Sequence, residues 1–226
     1  MKFIIFDIDG TLTDTKKVDD QCFIDAFRQT FNLEITNQNW GELNHVTDWG
    51  ITEEIIQREW NRVPKTEEYK TMKSNLIANL KIERQKDSNQ FQEVEGARMF
   101  FDDLKSIDEF SLGVATGAWE ESAMIKLESA RISLADVCFS NSSRYKSRED
   151  IVADVIEQLK DKNNTRPEKI FYFGDGVWDY TCCQHLGIEF IGIDILHDGK
   201  LSAAGAEHMF NNFKNCDVIM DTLNNK

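Results

Sequence analysis

The sequence predicts an α/β fold in which a doubly wound parallel sheet carries a small inserted helical domain. Its short apolar runs are continuous rather than alternating, which is typical of strands that are buried on both faces. From Leu112 onward, helical patterns separate these runs, and repeated strand, helix, strand units imply parallel pairing with helices on both faces of the sheet. One long segment has helical periodicity and no strand-like run. We therefore expect a Rossmann-like core with a helical insertion.

Five apolar runs are expected to form the strands of this core. They lie at residues 3–6, 112–115, 137–139, 170–173 and 190–193. Between the third and fourth runs, Ser147 is expected to cap a helix, with Asp150 three residues later in the manner of a capping box. The apolar stripe of that helix is Ile151, Val152, Val155, Ile156 and Leu159.

Residues 16–92 interrupt the strand and helix rhythm and are expected to form a helical cap domain. Apolar residues recur at helical spacing within 18–31 and again within 51–63, which predicts two amphipathic helices. The polar stretch 84–89 is expected to link this cap back to the sheet. Residues 1–15 and 93–226 would then form the α/β core domain, in which Gly96 precedes a further helix. The apolar stripe of this helix is expected at Met99, Phe100, Leu104 and Ile107.

The overall composition is that of a folded protein that does not bind polyanions through its net charge. Hydrophobic residues make up 41% and charged residues 29% of the chain, far from the disordered class. A net charge of -14 argues against nucleic acid or an anionic membrane surface as a partner. We expect a monomer or homodimer that acts on a small molecule.

The five cysteines predict buried thiols rather than a metal site or a disulfide framework. Their number is odd and they lack the spacing of metal-binding CxxC pairs. Only four apolar residues follow Lys2 before Asp7, too few for the core of a signal peptide, and no apolar stretch reaches membrane-spanning length. A reducing, cytoplasmic location is therefore expected.

Polar residues follow three of the predicted strands, where an open parallel sheet binds its ligands. Asp7 and Asp9 follow the first run, Thr116 ends the second, and Asp175 and Asp179 follow the fourth. Several carboxylates in one crevice need a compensating cation. Oxygen ligands near a phosphate site favour Mg²⁺ over a softer metal.

Glycines accompany each of these acidic or hydroxyl groups. Gly10, Gly117 and Gly176 lack side chains that would obstruct the backbone amides, and unobstructed amides allow a phosphate to approach closely. The same edge of the sheet is thus predicted to hold both a metal ion and a phosphoryl group.

These residues together resemble the motifs of the haloacid dehalogenase-like superfamily. Its DxDGT motif is matched by Asp7, Asp9, Gly10 and Thr11, its strand-end hydroxyl by Thr116, and its GDxxxD motif by Gly174, Asp175 and Asp179. The third motif supplies a Lys or Arg near the start of a later helix. Lys146 occupies that place, although the usual prolines are absent, and Arg148 or Arg144 are the alternatives.

The resemblance implies a phosphatase in which Asp7 attacks phosphorus to form a phosphoaspartate, while Asp9 serves as general acid and then general base. It implies Mg²⁺ held by Asp7, the main-chain carbonyl of Asp9, and Asp175. Asp179 would bind the metal directly, through water, or orient Lys146. The phosphoryl group would be held by Gly10, Thr11, Gly117 and Lys146, with Thr116 and Lys146 as catalytic groups.

Two other functions remain open at this stage. A phosphomutase would form the same phosphoaspartate, and an inactive relative would use the fold for binding only. The segment 45–50 between the two predicted cap helices is expected either to contact the leaving group or merely to begin the second helix, with Asp48 as its cap and Trp49 packed in the cap domain.

Overall fold

A computed structural model describes residues 1–225, which are built around a six-stranded parallel sheet. The strands are β1 (Lys2–Phe6), β2 (Phe110–Thr116), β3 (Cys138–Asn141), β4 (Lys169–Gly174), β5 (Glu189–Ile193) and β6 (Met209–Phe210). Their order in the sheet is β3-β2-β1-β4-β5-β6, and each neighbouring pair is parallel. The α/β prediction is confirmed. Strand β6 was not predicted, since two residues are too few to form a recognisable apolar run.

Helices cover the sheet and form the insertion. They are α1 (Lys16–Phe31), α2 (Asp48–Trp60), α3 (Thr66–Lys86), α4 (Ala97–Lys105), α5 (Glu120–Ser129), α6 (Arg148–Asn163), α7 (Val177–Leu186), α8 (Lys200–Ala204) and α9 (Cys216–Asn225). Short 3₁₀ turns lie at Trp40–Glu42 and Ser88–Phe91. As predicted, the Ser147 side chain caps α6 by accepting a hydrogen bond from the Asp150 amide.

Strand β1 shows why the sheet is buried on both faces. Its alternate side chains enter two different hydrophobic clusters: Ile4 and Phe6 pack with residues of α4, α5 and α9, and Phe3 and Ile5 pack with residues of α6 and α7. All four are fully buried. Burial of one such side chain contributes about 1.5–3 kcal/mol, so both helical layers hold β1 at the centre of the sheet.

Residues 16–91 contain helices and turns and no strand, as the sequence predicts. Helices α1, α2 and α3 share a separate hydrophobic cluster that also includes Trp119 and Ile125, so the insertion packs against α5. The expected linker is shorter than predicted, because residues 84–86 continue α3. Val63 lies beyond the end of α2, and Met99 is exposed on α4, so neither belongs to a buried stripe.

The five cysteines are free, and Cys22, Cys182 and Cys183 are buried. Burial raises the pKa of Cys22 and of Cys182 to about 12, which keeps these thiols protonated and unreactive. Within residues 1–225, no helix combines the length and the apolar character that crossing a membrane would demand.

Candidate active site

The candidate site lies where the strand order reverses direction, at the carboxyl ends of β1 and β4. These two strands are direct neighbours, with Phe6 paired to Phe173, so the residues that follow them meet at one point. Asp7 follows β1 and Asp175 follows β4. A crevice of this kind is the usual ligand site of an open α/β sheet, because the connections leave in opposite directions there.

Three of the predicted metal ligands form a compact cluster. Asp7, Asp175 and Asp179 each offer a carboxylate oxygen, and these atoms all lie within 4.8 Å of one another. Gly10 allows this approach: it has φ of +79°, and a side chain there would overlap the Asp175 carboxylate. The donor set, made of two buried carboxylates and one partly buried carboxylate, fits a hard divalent cation such as Mg²⁺.

Burial makes the charged forms of these acids costly. It raises the pKa of Asp7, against the opposing effect of Arg148, and the neighbouring Asp179 raises it further. It also raises the pKa of Asp175 to about 6, although Lys16 acts in the opposite direction. A divalent cation would favour the ionised carboxylates and so offset this cost.

Arg148, rather than Lys146, brings the positive charge of the predicted third motif to Asp7. The buried Arg148 guanidinium lies 3.2 Å from Asp7 and 2.8 Å from Asp179, both through Nη1. Lys146 instead pairs with Glu53 on α2 at 3.0 Å, and its side chain is 41% exposed. The backbone explains the difference, because Lys146 precedes the N-cap residue and Arg148 is the first residue of α6.

Arg144 is also remote from the acidic cluster. Its side chain is 62% exposed and lies 3.9 Å from Asp154. Of the three basic residues considered for the third motif, only Arg148 contacts Asp7 in the part of the chain that the structure describes.

Asp179 is fully buried and both of its oxygens are engaged. Oδ1 pairs with Arg148 and accepts a hydrogen bond from the Tyr172 hydroxyl at 3.2 Å, while Oδ2 accepts from the Gly176 amide at 3.0 Å. Tyr172 in turn lies 3.2 Å from Arg148. These contacts fix the guanidinium beside Asp7, which favours an orienting role for Asp179.

The Asp9 carboxylate points away from the acidic cluster. Its Oδ1 accepts a hydrogen bond from the Thr15 hydroxyl at 2.5 Å, and its Oδ2 lies 2.5 Å from Lys126 Nζ. Its side chain is therefore held by Thr15 and Lys126 and does not belong to the cluster, while its main chain follows Asp7 closely in the sequence. This separation fits the expected division between a main-chain ligand and a side-chain acid.

Lys126 is the functional candidate that sequence reasoning missed. It lies on α5, is fully buried, and contacts Asp19 of α1 at 2.8 Å as well as Asp9. The sequence does carry a signal: Ala123 and Leu127 define a buried face of α5, and Lys126 falls on that face. A lysine at a core position is rarely left without partners.

The hydroxyl and glycine residues of the motifs surround the same crevice. Thr116 is buried, and its hydroxyl accepts a hydrogen bond from the Ala118 amide at 3.2 Å. Thr11 is fully buried, and its hydroxyl has no hydrogen-bond partner in the described structure. Gly117 lies so close to Arg148 and the Val46 carbonyl that a side chain would not fit.

A cavity of about 70 Å³ lies between the sheet edge and the helical insertion. Asp7, Asp9, Thr116, Gly117, Arg148 and Asp175 line its floor. Its roof includes Phe23, Trp40, Val46 and Ile51 from the insertion, and Trp178 closes one side. The insertion thus covers the acidic cluster with these apolar side chains and with the charged side chains of Lys16, Asp19, Asp20 and Asp48.

The segment before α2 is anchored to the loops that carry the site. Thr47 caps α2 and donates a hydrogen bond to the Lys146 carbonyl at 2.7 Å, so the predicted cap at Asp48 is wrong by one residue. Asp48 instead accepts a hydrogen bond from the Trp119 amide at 2.7 Å. Arg148 donates to the Val46 carbonyl at 3.1 Å. This segment lines the cavity together with Arg148 and the residues that follow β2.

Comparison with known proteins places these features in a family. The sequence model described as haloacid dehalogenase-like hydrolase matches residues 4–193. A hydrolase from Pseudomonas syringae superposes with a TM-score of 0.76 at 16% identity, over 99% of this chain and 99% of that chain. A predicted phosphoglycolate phosphatase from Haemophilus somnus has a TM-score of 0.66 at 14% identity, over 97% and 98% of the two chains.

A protein from Bacteroides vulgatus that is assigned as a beta-phosphoglucomutase is also similar, with a TM-score of 0.70 at 15% identity over 100% of this chain and 89% of that chain. At these identities the structures share a fold, and nothing about substrate follows. No curated protein sequence matches the chain significantly.

Proposed function

The chain belongs to the haloacid dehalogenase-like hydrolase family, and we propose that it is a Mg²⁺-dependent phosphatase that hydrolyses a small phosphomonoester. One observation carries the proposal: Asp7 lies beside Asp175, Asp179 and Arg148, and it lines the cavity under the insertion. This arrangement supplies a nucleophilic carboxylate, a set of metal ligands and a fixed cation at a single point.

In the proposed reaction, an Asp7 oxygen forms a bond to phosphorus while the bond to the leaving oxygen breaks. Asp9 donates its proton to that oxygen, which departs as an alcohol. A water molecule then attacks the phosphoaspartate, Asp9 accepts a proton from the water, and the bond between phosphorus and Asp7 breaks to release phosphate. Asp7 and Asp9 therefore return to their starting states.

The Mg²⁺ would be held by the Asp7 carboxylate, the Asp9 main-chain carbonyl and Asp175, with Asp179 within reach of the same cluster. Bound there, Mg²⁺ supplies positive charge that lets the carboxylates ionise together with a phosphate. Arg148 replaces Lys146 in the proposed catalytic set, since its guanidinium lies beside Asp7. Thr116, Thr11 and the amides near Gly10 and Gly117 would bind the phosphoryl oxygens.

Residues 16–92 are proposed to act as a cap domain over the core formed by residues 1–15 and 93–226. The insertion residues that line the cavity support this role, because the apolar side chains among them would exclude water that competes with the reaction. A cavity of about 70 Å³ favours a small metabolite as substrate over a phosphoprotein or nucleic acid. We also propose a cytoplasmic protein, in line with its five free thiols, acting as a monomer or homodimer.

The deciding experiment measures phosphate release from a panel of phosphorylated metabolites, with and without Mg²⁺. We expect activity that EDTA abolishes and that Asp7→Asn lowers by more than about 10³-fold, because the nucleophile is lost. Asp14→Asn is the matched control: Asp14 belongs to the same loop but is exposed, and its replacement should leave the rate unchanged. Equal activity of Asp7→Asn and wild type would contradict the mechanism.

A phosphomutase is the second candidate, favoured by the fold shared with the Bacteroides vulgatus protein. The same assay separates the two. Turnover of a phosphomonoester to free phosphate without a bisphosphate activator supports the phosphatase, whereas transfer to a sugar phosphate that depends on an activator supports the mutase.

A further inference from the structure

Lys126 has an environment that neither packing nor solubility explains. The side chain is fully buried, and its ammonium lies 2.5 Å from the Asp9 carboxylate and 2.8 Å from the Asp19 carboxylate. Burial alone would lower the pKa of Lys126, but Asp19 and Asp9 more than offset this effect and raise it. A permanent positive charge is therefore enclosed between two carboxylates, one of them the proposed general acid.

The contacts of Asp9 fix its orientation. One carboxylate oxygen of Asp9 accepts a hydrogen bond from the Thr15 hydroxyl, and the other accepts one from the Lys126 ammonium. Rotation of the Asp9 side chain would break both contacts, which are 2.5 Å each. A general acid must reach the leaving oxygen at hydrogen-bond distance, and a single held orientation meets that need.

Asp19 holds the other side of the ammonium. It projects from α1, which belongs to the helical insertion, whereas Lys126 belongs to α5 beside the sheet. Burial raises the pKa of Asp19, against the opposing effect of Lys126, and the nearby charges of Asp9 and Asp48 raise it further. The Lys126 ammonium thus contacts both Asp19 of the insertion and Asp9, the proposed general acid.

From this geometry we infer that Lys126 is a positioning residue that holds Asp9 in the orientation for proton donation to the leaving group, with Asp19 as its anchor. The inference rests on the proposed phosphatase function and deepens it. Lys126 itself exchanges no proton and forms no bond to substrate. Its effect passes through Asp9, so it should depend on how much the leaving oxygen needs a proton.

The test compares kcat/KM for 4-nitrophenyl phosphate and phenyl phosphate in wild type and Lys126→Met. A 4-nitrophenolate departs readily without a proton, whereas phenolate gains far more from protonation. Because general acid catalysis contributes roughly 10²–10⁴-fold, we expect about a 10²-fold loss for phenyl phosphate and a much smaller loss for 4-nitrophenyl phosphate. Lys81→Met, at an exposed position on α3, should leave both values unchanged.

A second variant guards against a general loss of folding, because Lys126→Met leaves two half-buried carboxylates without their cation. Lys126→Met combined with Asp19→Asn removes one of those carboxylates. If Lys126 acts by positioning Asp9, the double variant regains thermal stability but keeps the selective loss on phenyl phosphate. Equal losses on both esters, or full recovery in the double variant, would overturn the inference.

The controls also separate this inference from the proposed function. Failure of the wild type to hydrolyse either ester, or any metabolite of the panel, removes the phosphatase proposal itself. An active wild type with a leaving-group-independent effect of Lys126→Met removes only the positioning role.

Discussion

Arg148 shows how one residue connects several parts of the site. Its guanidinium carries donors in a rigid planar fork, which suits it to meet Asp7, Asp179 and the Val46 carbonyl at the same time. A lysine ammonium has no such fixed geometry. The planar group also remains charged when it is buried, as it is here, so its positive charge is held beside Asp7.

Replacement of Arg148 should therefore be far more damaging than replacement of Lys146. We expect Arg148→Met to lower kcat/KM for phosphate release by about 10²–10³-fold, the usual cost of losing one preorganised group that stabilises charge in the transition state. Lys146→Met should change it by at most about fivefold, because a half-exposed ion pair contributes about 1 kcal/mol or less. Steady-state kinetics on both variants provide the measurement. A larger effect from Lys146 would restore the original prediction for the third motif.

At the scale of single residues, the sequence predicts the positions of the acidic site residues better than those of the basic ones. Asp7 and Asp175 follow strands directly, and Asp179 lies in the first turn of the helix after β4, so the sheet edge brings them together. The cation of the third motif lies where the loop after β3 meets α6, and a shift of two residues there separates a half-exposed lysine from a buried arginine. The pattern of α5 marks Lys126 as buried, but its contacts with Asp9 and with Asp19 of α1 join distant parts of the chain, and no local pattern reveals them.

Helix α2 joins the insertion to the loops that follow β2 and β3 through the hydrogen bonds at its N-terminus. Thr47 satisfies the Gly50 amide as N-cap and donates to the Lys146 carbonyl, while the Asp48 amide donates to the Gly117 carbonyl at 2.7 Å. The hydrogen bonds at this helix terminus thus serve both the helix and the attachment of the insertion to the site.

Thr47→Ala should consequently destabilise the protein and loosen the insertion. Loss of an N-cap side chain costs about 0.5–2 kcal/mol, and the hydrogen bond to Lys146 adds to this cost. Urea denaturation should show a lower free energy of unfolding for Thr47→Ala and no change for Thr36→Ala, where the threonine is exposed. An unaltered midpoint for Thr47→Ala would show that the anchor contributes nothing to stability.

The elements themselves follow from the sequence wherever a pattern is long and regular. The five longer strands and the cap of α6 are predicted because continuous apolar runs and a Ser with Asp three residues later are strong local signals. The ends of α2 and α3 are not, since Val63 and the stretch 84–86 carry residues that suit either a helix or a loop. The short strand β6 depends on pairing with β5 rather than on its own residues.

At the scale of the whole molecule, the negative net charge of the chain does not describe the charges around the site. The chain carries a net charge of -14, yet two buried or half-buried cations line the crevice and a third contacts acids that line it, and each is already paired with acids. Lys16 pairs with Asp175, Lys126 with Asp9 and Asp19, and Arg148 with Asp7 and Asp179. Because these cations are matched by an excess of carboxylates, a phosphate would bind only with further positive charge.

Mg²⁺ should therefore stabilise the whole fold as well as support activity. A ligand that binds only the folded protein adds about 2.7 kcal/mol at a concentration 100 times its dissociation constant. For a chain of this size, that corresponds to a rise in melting temperature of roughly 5–10 °C. Differential scanning calorimetry of EDTA-treated protein, with Mg²⁺ added back, measures the rise directly.

The variant Asp175→Asn should abolish this stabilisation, because it removes a charged oxygen from the cluster. Asp198→Asn should preserve it, since Asp198 pairs with Lys200 outside the cluster. An equal rise in melting temperature for Asp175→Asn and wild type would place the cation elsewhere in the protein. If Mg²⁺ raises the melting temperature of wild type and Asp198→Asn but not of Asp175→Asn, the cation stabilises the protein through the acids that follow β1 and β4. These acids lie at the edge of the sheet where the proposed reaction takes place.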